Sequence, residues 1–248
     1  MILLKSEQEL GYLREAGRIV AESRRVLEDA VRPGVTTAEL DELAEKFIRS
    51  RGAQPAFKGY RGFPGSICTS VNDEVVHGIP GPRGLKAGDI ISIDLGVVYR
   101  GYYGDAAFTL PVGEVSPEAR RLLQVTEEAL WRGIEQARPH RRLSDISWAV
   151  QSYVEANGFS VVRDYVGHGI GVSMHEEPQV PNFGPPGLGP ELVPGMTLAI
   201  EPMVNQGGPE VVLDPDQWTV RTRDGGLSAH FEHTVAVTPR GPWVLTLL

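Results

Sequence analysis

Apolar positions in the first fifty residues recur with a helical period. Leu10, Leu13, Ile19, Val20, Val26 and Leu27 form one stripe behind Ser6, and Glu9 stands three positions after Ser6, the spacing of a capping box. Pro33-Gly34 stops that helix. Thr36 with Glu39 repeats the cap, and Leu40, Leu43 and Phe47 carry a second helix to Gly52. The period then shortens to two. Residues 66–71, 75–77, 90–98 and 103–110 read as strands between glycine-rich breaks. Helical periodicity returns from Pro117, a first-turn proline, to about Ala137, and again from Ser144 to Gly158. Strands follow at 160–166, 196–204, 218–222, 229–237 and 243–247.

The order helix, helix, strands thus occurs twice, and two short echoes accompany it. His77-Gly78-Ile79 recurs as His168-Gly169-Ile170. Gly88 is followed six residues later by Asp94 at the end of an apolar strand, as Gly195 is by Glu201. Each half therefore carries one histidine and one strand-borne carboxylate in corresponding places, with an insertion in the second half that includes His175. A duplicated α/β unit is expected, with halves of about 1–112 and 113–248 packed as one domain, because no Ser- or Gly-rich linker separates them.

Composition narrows the function classes. An apolar share of 41% and a charged share of 23% describe a folded globular chain. The formal charge of −8 gives no global basic field, which argues against DNA as a partner. The single cysteine, Cys68, closes no intrachain disulfide and builds no thiolate zinc cluster. The N-terminal apolar stretch turns polar at Lys5, too early for a signal peptide, and no run reaches the length of a membrane span. A cytosolic location without membrane partners is the expectation.

Four carboxylates stand out because they lie in apolar strands. Asp94 follows Ile91-Ser92-Ile93, with alternation putting Ser92 and Asp94 on one face. Asp105 lies across a turn at Gly101, so a hairpin would bring the two acids side by side. Adjacent carboxylates repel, and either a shared proton or a common cation relieves them. Glu201 and Glu232 pose the same problem in the second half. With His168, framed by two glycines, the set of four carboxylates and one imidazole suits two divalent ions, an arrangement that activates water and polarises a carbonyl or phosphoryl group.

Seven ordered segments, Val76-His77-Gly78-Ile79-Pro80, Ile93-Asp94-Leu95-Gly96, Gly104-Asp105, Gly167-His168-Gly169-Ile170-Gly171, His175-Glu176-Glu177-Pro178, Ile200-Glu201-Pro202 and Phe231-Glu232-His233-Thr234, resemble the motifs of type I methionine aminopeptidases. The resemblance spans nearly the whole chain. It implies an α/β (α+β) pita-bread fold, with two quasi-symmetric halves around a central antiparallel sheet, and two metal ions. It further implies that Asp94 chelates one ion, that His168 and Glu201 chelate the other, and that Asp105 and Glu232 bridge both. Glu201 is the implied general base, while His77 and His175 flank the scissile bond without binding metal. Phe57, Tyr60, Phe63, Cys68 and Trp218 match positions lining the methionine pocket. The ions would be Co, Mn, Fe or Zn, and the partner the N-terminal peptide of a nascent protein cut by a monomer.

Three positions depart from the resemblance. His230 stands where the family usually has an amide and is expected behind the metal ligands; Met174 and Phe57 alter the pocket wall while keeping apolar volume. Arg138, Arg141 and Arg142 form a small basic cluster, a candidate ribosome contact, with His140 in the same solvated turn. A proline-directed relative, a prolidase or Xaa-Pro aminopeptidase, is the alternative enzyme, and a non-cleaving peptide-binding module the alternative outside enzymes.

Overall fold

The computed structural model describes the whole chain, Met1–Leu248. The first half holds α1 (Glu7–Ala30), α2 (Thr37–Ser50), β1 (Gln54–Pro55), β2 (Cys68–Val71), β3 (Glu74–Val76), β4 (Ile90–Tyr99) and β5 (Tyr102–Pro111). The second holds α3 (Pro117–Gln136), α4 (Leu143–Ala156), β6 (Ser160–Val161), β7 (Gly167–Gly169), β8 (Glu176–Val180), β9 (Thr197–Ile200), β10 (Met203–Asn205), β11 (Val211–Leu213), β12 (Val220–Thr222), β13 (Ser228–His230), β14 (His233–Thr238) and β15 (Gly241–Val244). No helix is long and apolar enough to cross a membrane.

Both expected capping boxes form: the Ser6 and Thr36 backbone N–H groups donate to Glu9 and Glu39 at 2.8 Å each. Such a cap contributes about 1 kcal/mol. The fourth helix starts one residue earlier than the sequence suggests. Asp145 accepts the Arg142 N–H at 2.8 Å, while the Ser144 hydroxyl accepts the Leu188 N–H at 2.7 Å.

The hairpin of β4 and β5 pairs ten residues deep, from Ile90 opposite Pro111 to Tyr99 opposite Tyr102. Arg100 and Gly101 turn it with φ of 51° and 82°, the two left-handed residues of a tight hairpin. On its other edge β4 pairs with β2, giving the order β2, β4, β5. In the second half β9 lies between β7 and β14 in the same way. The glycines that open the central strands are equivalent in detail. Gly88 and Gly195 have φ of 97° and 94°, which residues with a Cβ rarely adopt. Their N–H groups donate to Val112 and Val237 at 2.9 and 3.0 Å, and those valines donate back to Asp89 and Met196 at 2.8 and 2.9 Å. The two halves join in one core of 42 buried apolar residues, contributed by all four helices and by strands of both halves.

Two of the expected long strands are broken, both at a carboxylate. Residues 196–204 divide into β9 and β10 at Glu201-Pro202, and residues 229–237 into β13 and β14 at Phe231-Glu232. Pro202 has no N–H to continue a ladder. The two chains turn the corner together: β9 leaves β14 after Ile200 opposite His233, and β10 meets β13 at Met203 opposite His230. Glu201 and Glu232 thereby stand at the seam between sheets.

Candidate metal centre

All five predicted donors, Asp94, Asp105, His168, Glu201 and Glu232, line one cleft of about 200 Å³, together with His77, His175, Phe57, Tyr60, Phe63, Cys68 and Trp218. The two aspartates are diagonal neighbours and not directly opposed. Asp94 faces Ala107 and Asp105 faces Gly96, which keeps both on one face of the hairpin. Asp105, His168 and Glu232 offer ligand atoms within 4.8 Å of one another, as do Glu201, His230 and Glu232.

His168 is held by a close backbone approach. A Cβ at Gly167 would lie 2.3 Å from the Ala199 carbonyl oxygen, so only glycine lets this strand reach its neighbour. The His168 Nδ1 lies 2.9 Å from the Gly169 carbonyl, to which it donates, leaving the Nε2 lone pair directed at Glu201 Oε1, 3.4 Å away. Donors bound to one ion at about 2.1 Å are about 3 Å apart when adjacent, so this spacing is close to that of a ligand pair. The Asn182 amide donates to the Glu201 backbone carbonyl at 3.0 Å and fixes the corner on which that carboxylate sits.

The electrostatics call for either protons or a cation among the acids. Burial, reinforced by the charges of neighbouring acids, raises Asp94, Glu201 and Glu232 well above the ordinary carboxylate range. Burial pushes Asp105 up to about 7. Burial, then the neighbouring His175, lowers His168 to about 4, so it is a neutral imidazole with a free lone pair. Asp94 Oδ1, Asp105 Oδ1 and Glu232 Oε1 are buried without any hydrogen-bond partner. Unpaired buried oxygens of this kind, converging with an imidazole, fit hard or borderline divalent ions.

Above the acids, the His175 Nδ1 lies 2.8 Å from the Tyr60 hydroxyl, and its ring centre is 4.3 Å from that of His168. The loop carrying His175 is anchored by a buried ion pair between Lys5 and Glu176, whose other oxygen accepts the Ser173 N–H at 3.1 Å. Phe57, Phe63, Cys68 and Met174 form a buried apolar wall, extended by Tyr60 and Trp218. The Trp218 ring meets Phe63 edge-on at 5.1 Å, and His77 stands between Trp218 and Tyr165 at 6.5 and 5.5 Å.

The sequence of the Metallopeptidase family M24 matches residues 11–239. The chain is 58% identical over 246 residues to methionine aminopeptidase 1 of Bacillus subtilis, covering 99% of both proteins. The chain belongs to the methionine aminopeptidases of metallopeptidase family M24. It is 57% identical to the methionine aminopeptidase of Clostridium perfringens over the full length of both. The crystal structure of the Rickettsia prowazekii methionine aminopeptidase superposes with a TM-score of 0.98 at 47% identity, each chain fully covered. The Pyrococcus furiosus prolidase shares the fold, with a TM-score of 0.78 at 23% identity, and the chain covers 65% of it. The pita-bread architecture expected from the motifs is therefore present, and membership of a metallopeptidase family accords with the use of divalent metal.

Five further residues line the cleft that the motifs did not assign to it: Arg61, Val76, Tyr165, Val166 and Met203. Two carried a legible signal. Met203 lies two residues beyond Glu201, and Tyr165 lies just upstream of the glycine-framed His168. His230, expected behind the ligands, points its buried and unpartnered Nε2 at Glu201 Oε2, 3.6 Å away.

Proposed function

We propose that this chain removes the initiator methionine from new polypeptides in the cytosol, preferring a small second residue and using two divalent ions. The observation that carries the reading is the convergence of five metal-donor side chains beneath an apolar, aromatic pocket in one cleft. The halves 1–112 and 113–248 work as a single catalytic domain, a reading supported by their common core. Asp94 would hold one ion, His168 and Glu201 the other, and Asp105 and Glu232 both. Mn, Fe, Co and Zn all suit such donors. When bound, the ions lower the proton affinity of a water and polarise the scissile carbonyl.

The chain's own residues do the rest. Glu201, on its rigid corner, accepts the proton released as the water attacks. Tyr60 donates its hydroxyl proton to His175 Nδ1, which leaves Nε2–H as the donor that stabilises negative charge on the carbonyl oxygen. Burial lowers His77 to about 4, so it is neutral and positions the peptide beside the leaving amine. Phe57, Tyr60, Phe63, Cys68 and Trp218 enclose the methionine side chain, whose thioether packs well against aromatic rings. A lysine there would lose its hydration with no partner, and a valine would leave the pocket part empty. The experiment is a peptide panel varied at the first two positions and compared by kcat/KM. Met-Ala-Ser should be cleaved and Met-Lys-Ser spared; preference for Xaa-Pro peptides, with indifference to methionine, would replace this reading with a prolidase-like one.

A further inference from the structure

The seam between the halves is closed by side chains where a sheet would use backbone. Along β5, the residues Asp105, Ala107 and Thr109 stand opposite Thr234, Glu232 and His230, an antiparallel register that steps by two on each side. Only the middle pair bonds directly, Glu232 N–H to the Ala107 carbonyl at 2.8 Å. At one end the Thr234 hydroxyl takes both backbone groups of Asp105: it accepts the N–H at 3.0 Å and donates to the carbonyl at 2.8 Å. At the other end the Thr109 hydroxyl does the same for His230, at 2.9 and 2.8 Å. Ser92, 2.8 Å from Thr109, then serves as donor to it, since the Thr109 proton is already committed. Thr234 is fully buried and Thr109 nearly so.

Two strands that touch at one backbone bond are free to rock about it unless both flanks are fixed. A hydroxyl relay fixes each flank at a span that a direct ladder bond would not allow. Asp105 and Glu232 sit beside that single bond, one on each strand, and each has a buried oxygen without a partner. We propose that Thr109 and Thr234 are positioning residues that set the crossing of β5 with the Phe231-Glu232 corner, and with it the separation of the Asp105 and Glu232 carboxylates. This rests on the dinuclear reading above and adds to it which groups, outside the ligands, hold the bridging pair in register.

The test is Mn²⁺ binding to the full chain by titration calorimetry, with the spin coupling between the two ions read by electron paramagnetic resonance. Thr234→Val keeps the volume and removes the relay. It should weaken Mn²⁺ binding about 10- to 100-fold, the usual loss when a group supporting a ligand is removed, and diminish the coupling signal. Thr234→Ser, which keeps the hydroxyl, should restore both. Thr126→Val, a buried change in α3 that removes one hydroxyl bond to the Leu122 carbonyl, controls for stability alone and should leave Mn²⁺ binding unchanged. Thr109→Val leaves the Asp105 bonds untouched and carries the same test if Thr234→Val does not fold. Wild-type affinity and coupling in a folded Thr234→Val or Thr109→Val protein would overturn the proposal. A wild-type chain that binds no coupled pair of ions would overturn the dinuclear reading beneath it, a result separable from failure of the threonine variants.

Discussion

Removing metal should reveal the cost of burying four carboxyls together, and the sign of its pH dependence follows from the site. Asp94, Glu201 and Glu232 are held well above their ordinary range by burial, and Asp105 at about 7. For each, the folded chain keeps a proton that the unfolded chain has released, so stability is lost as pH rises toward the folded-state value. Histidines act in the opposite sense. Burial lowers His77 and His168 to about 4 and His230 and His233 to about 3, so below about 6.5 the unfolded chain binds protons that the folded chain refuses. Their contribution grows with pH up to about 6.5 and is constant above. Below about pH 6 the four histidines and the four carboxyls therefore roughly cancel, and from about pH 6.5 upward only the carboxyl loss remains, so metal-free protein should lose stability as pH rises past that point. Between pH 7 and 8 each carboxyl that stays protonated in the folded state removes about 1.4 kcal/mol. For a chain of this size each such carboxyl lowers Tm by roughly 3 to 6 °C. Saturating Mn²⁺ should abolish the decline, because the ions stabilise the ionised carboxylates, and binding should release protons, visible as a dependence of calorimetric heat on buffer ionisation enthalpy. The assay is thermal unfolding of chelator-treated protein from pH 5.5 to 8.5 at constant ionic strength. Stability that is flat or rising between pH 7 and 8 would refute the reasoning.

Asp105→Asn and Glu232→Gln should each reduce kcat by orders of magnitude and lower bound metal below two ions per chain, as read by elemental analysis, because a neutral amide bridges two cations poorly. His175→Ala should lower kcat by about 100- to 1000-fold while leaving metal content unchanged, the signature of a lost oxyanion donor; a parallel loss of metal would make His175 a ligand instead. Neutralising Arg138, Arg141 and Arg142, all exposed in the turn between α3 and α4, should weaken co-sedimentation with ribosomes at low salt. Binding unchanged by the triple substitution would remove that patch from the account.

Much of the architecture was legible because local and long-range signals agree. The capping boxes at Ser6 and Thr36 mark helix starts, and the turn at Arg100-Gly101 sets the hairpin. The Gly88 and Gly195 echo marked corresponding strand openings, and the two make matching backbone hydrogen-bond exchanges, with Val112 and Asp89 and with Val237 and Met196 respectively. The four carboxylates were candidates for a different reason: carboxylates in apolar strands are costly without a partner. What the pattern hid was the seam. Apolar residues flank the carboxylate on both sides in 196–204 and 229–237, so each run reads as one strand although it changes sheets there. Pro202 was the one local mark of that break. The relays at Thr109 and Thr234 were invisible for a related cause, since a buried threonine in a strand reads as an ordinary β-branched residue until its opposite strand is known.

The most direct test of the account is hydrolysis of Met-Ala-Ser by exhaustively chelated protein as Mn²⁺ is titrated back and counted on the chain. The account predicts no turnover without metal and activity that rises as the site defined by Asp94, Asp105, His168, Glu201 and Glu232 fills, with none regained in Glu232→Gln. Undiminished cleavage by the metal-free chain would contradict it.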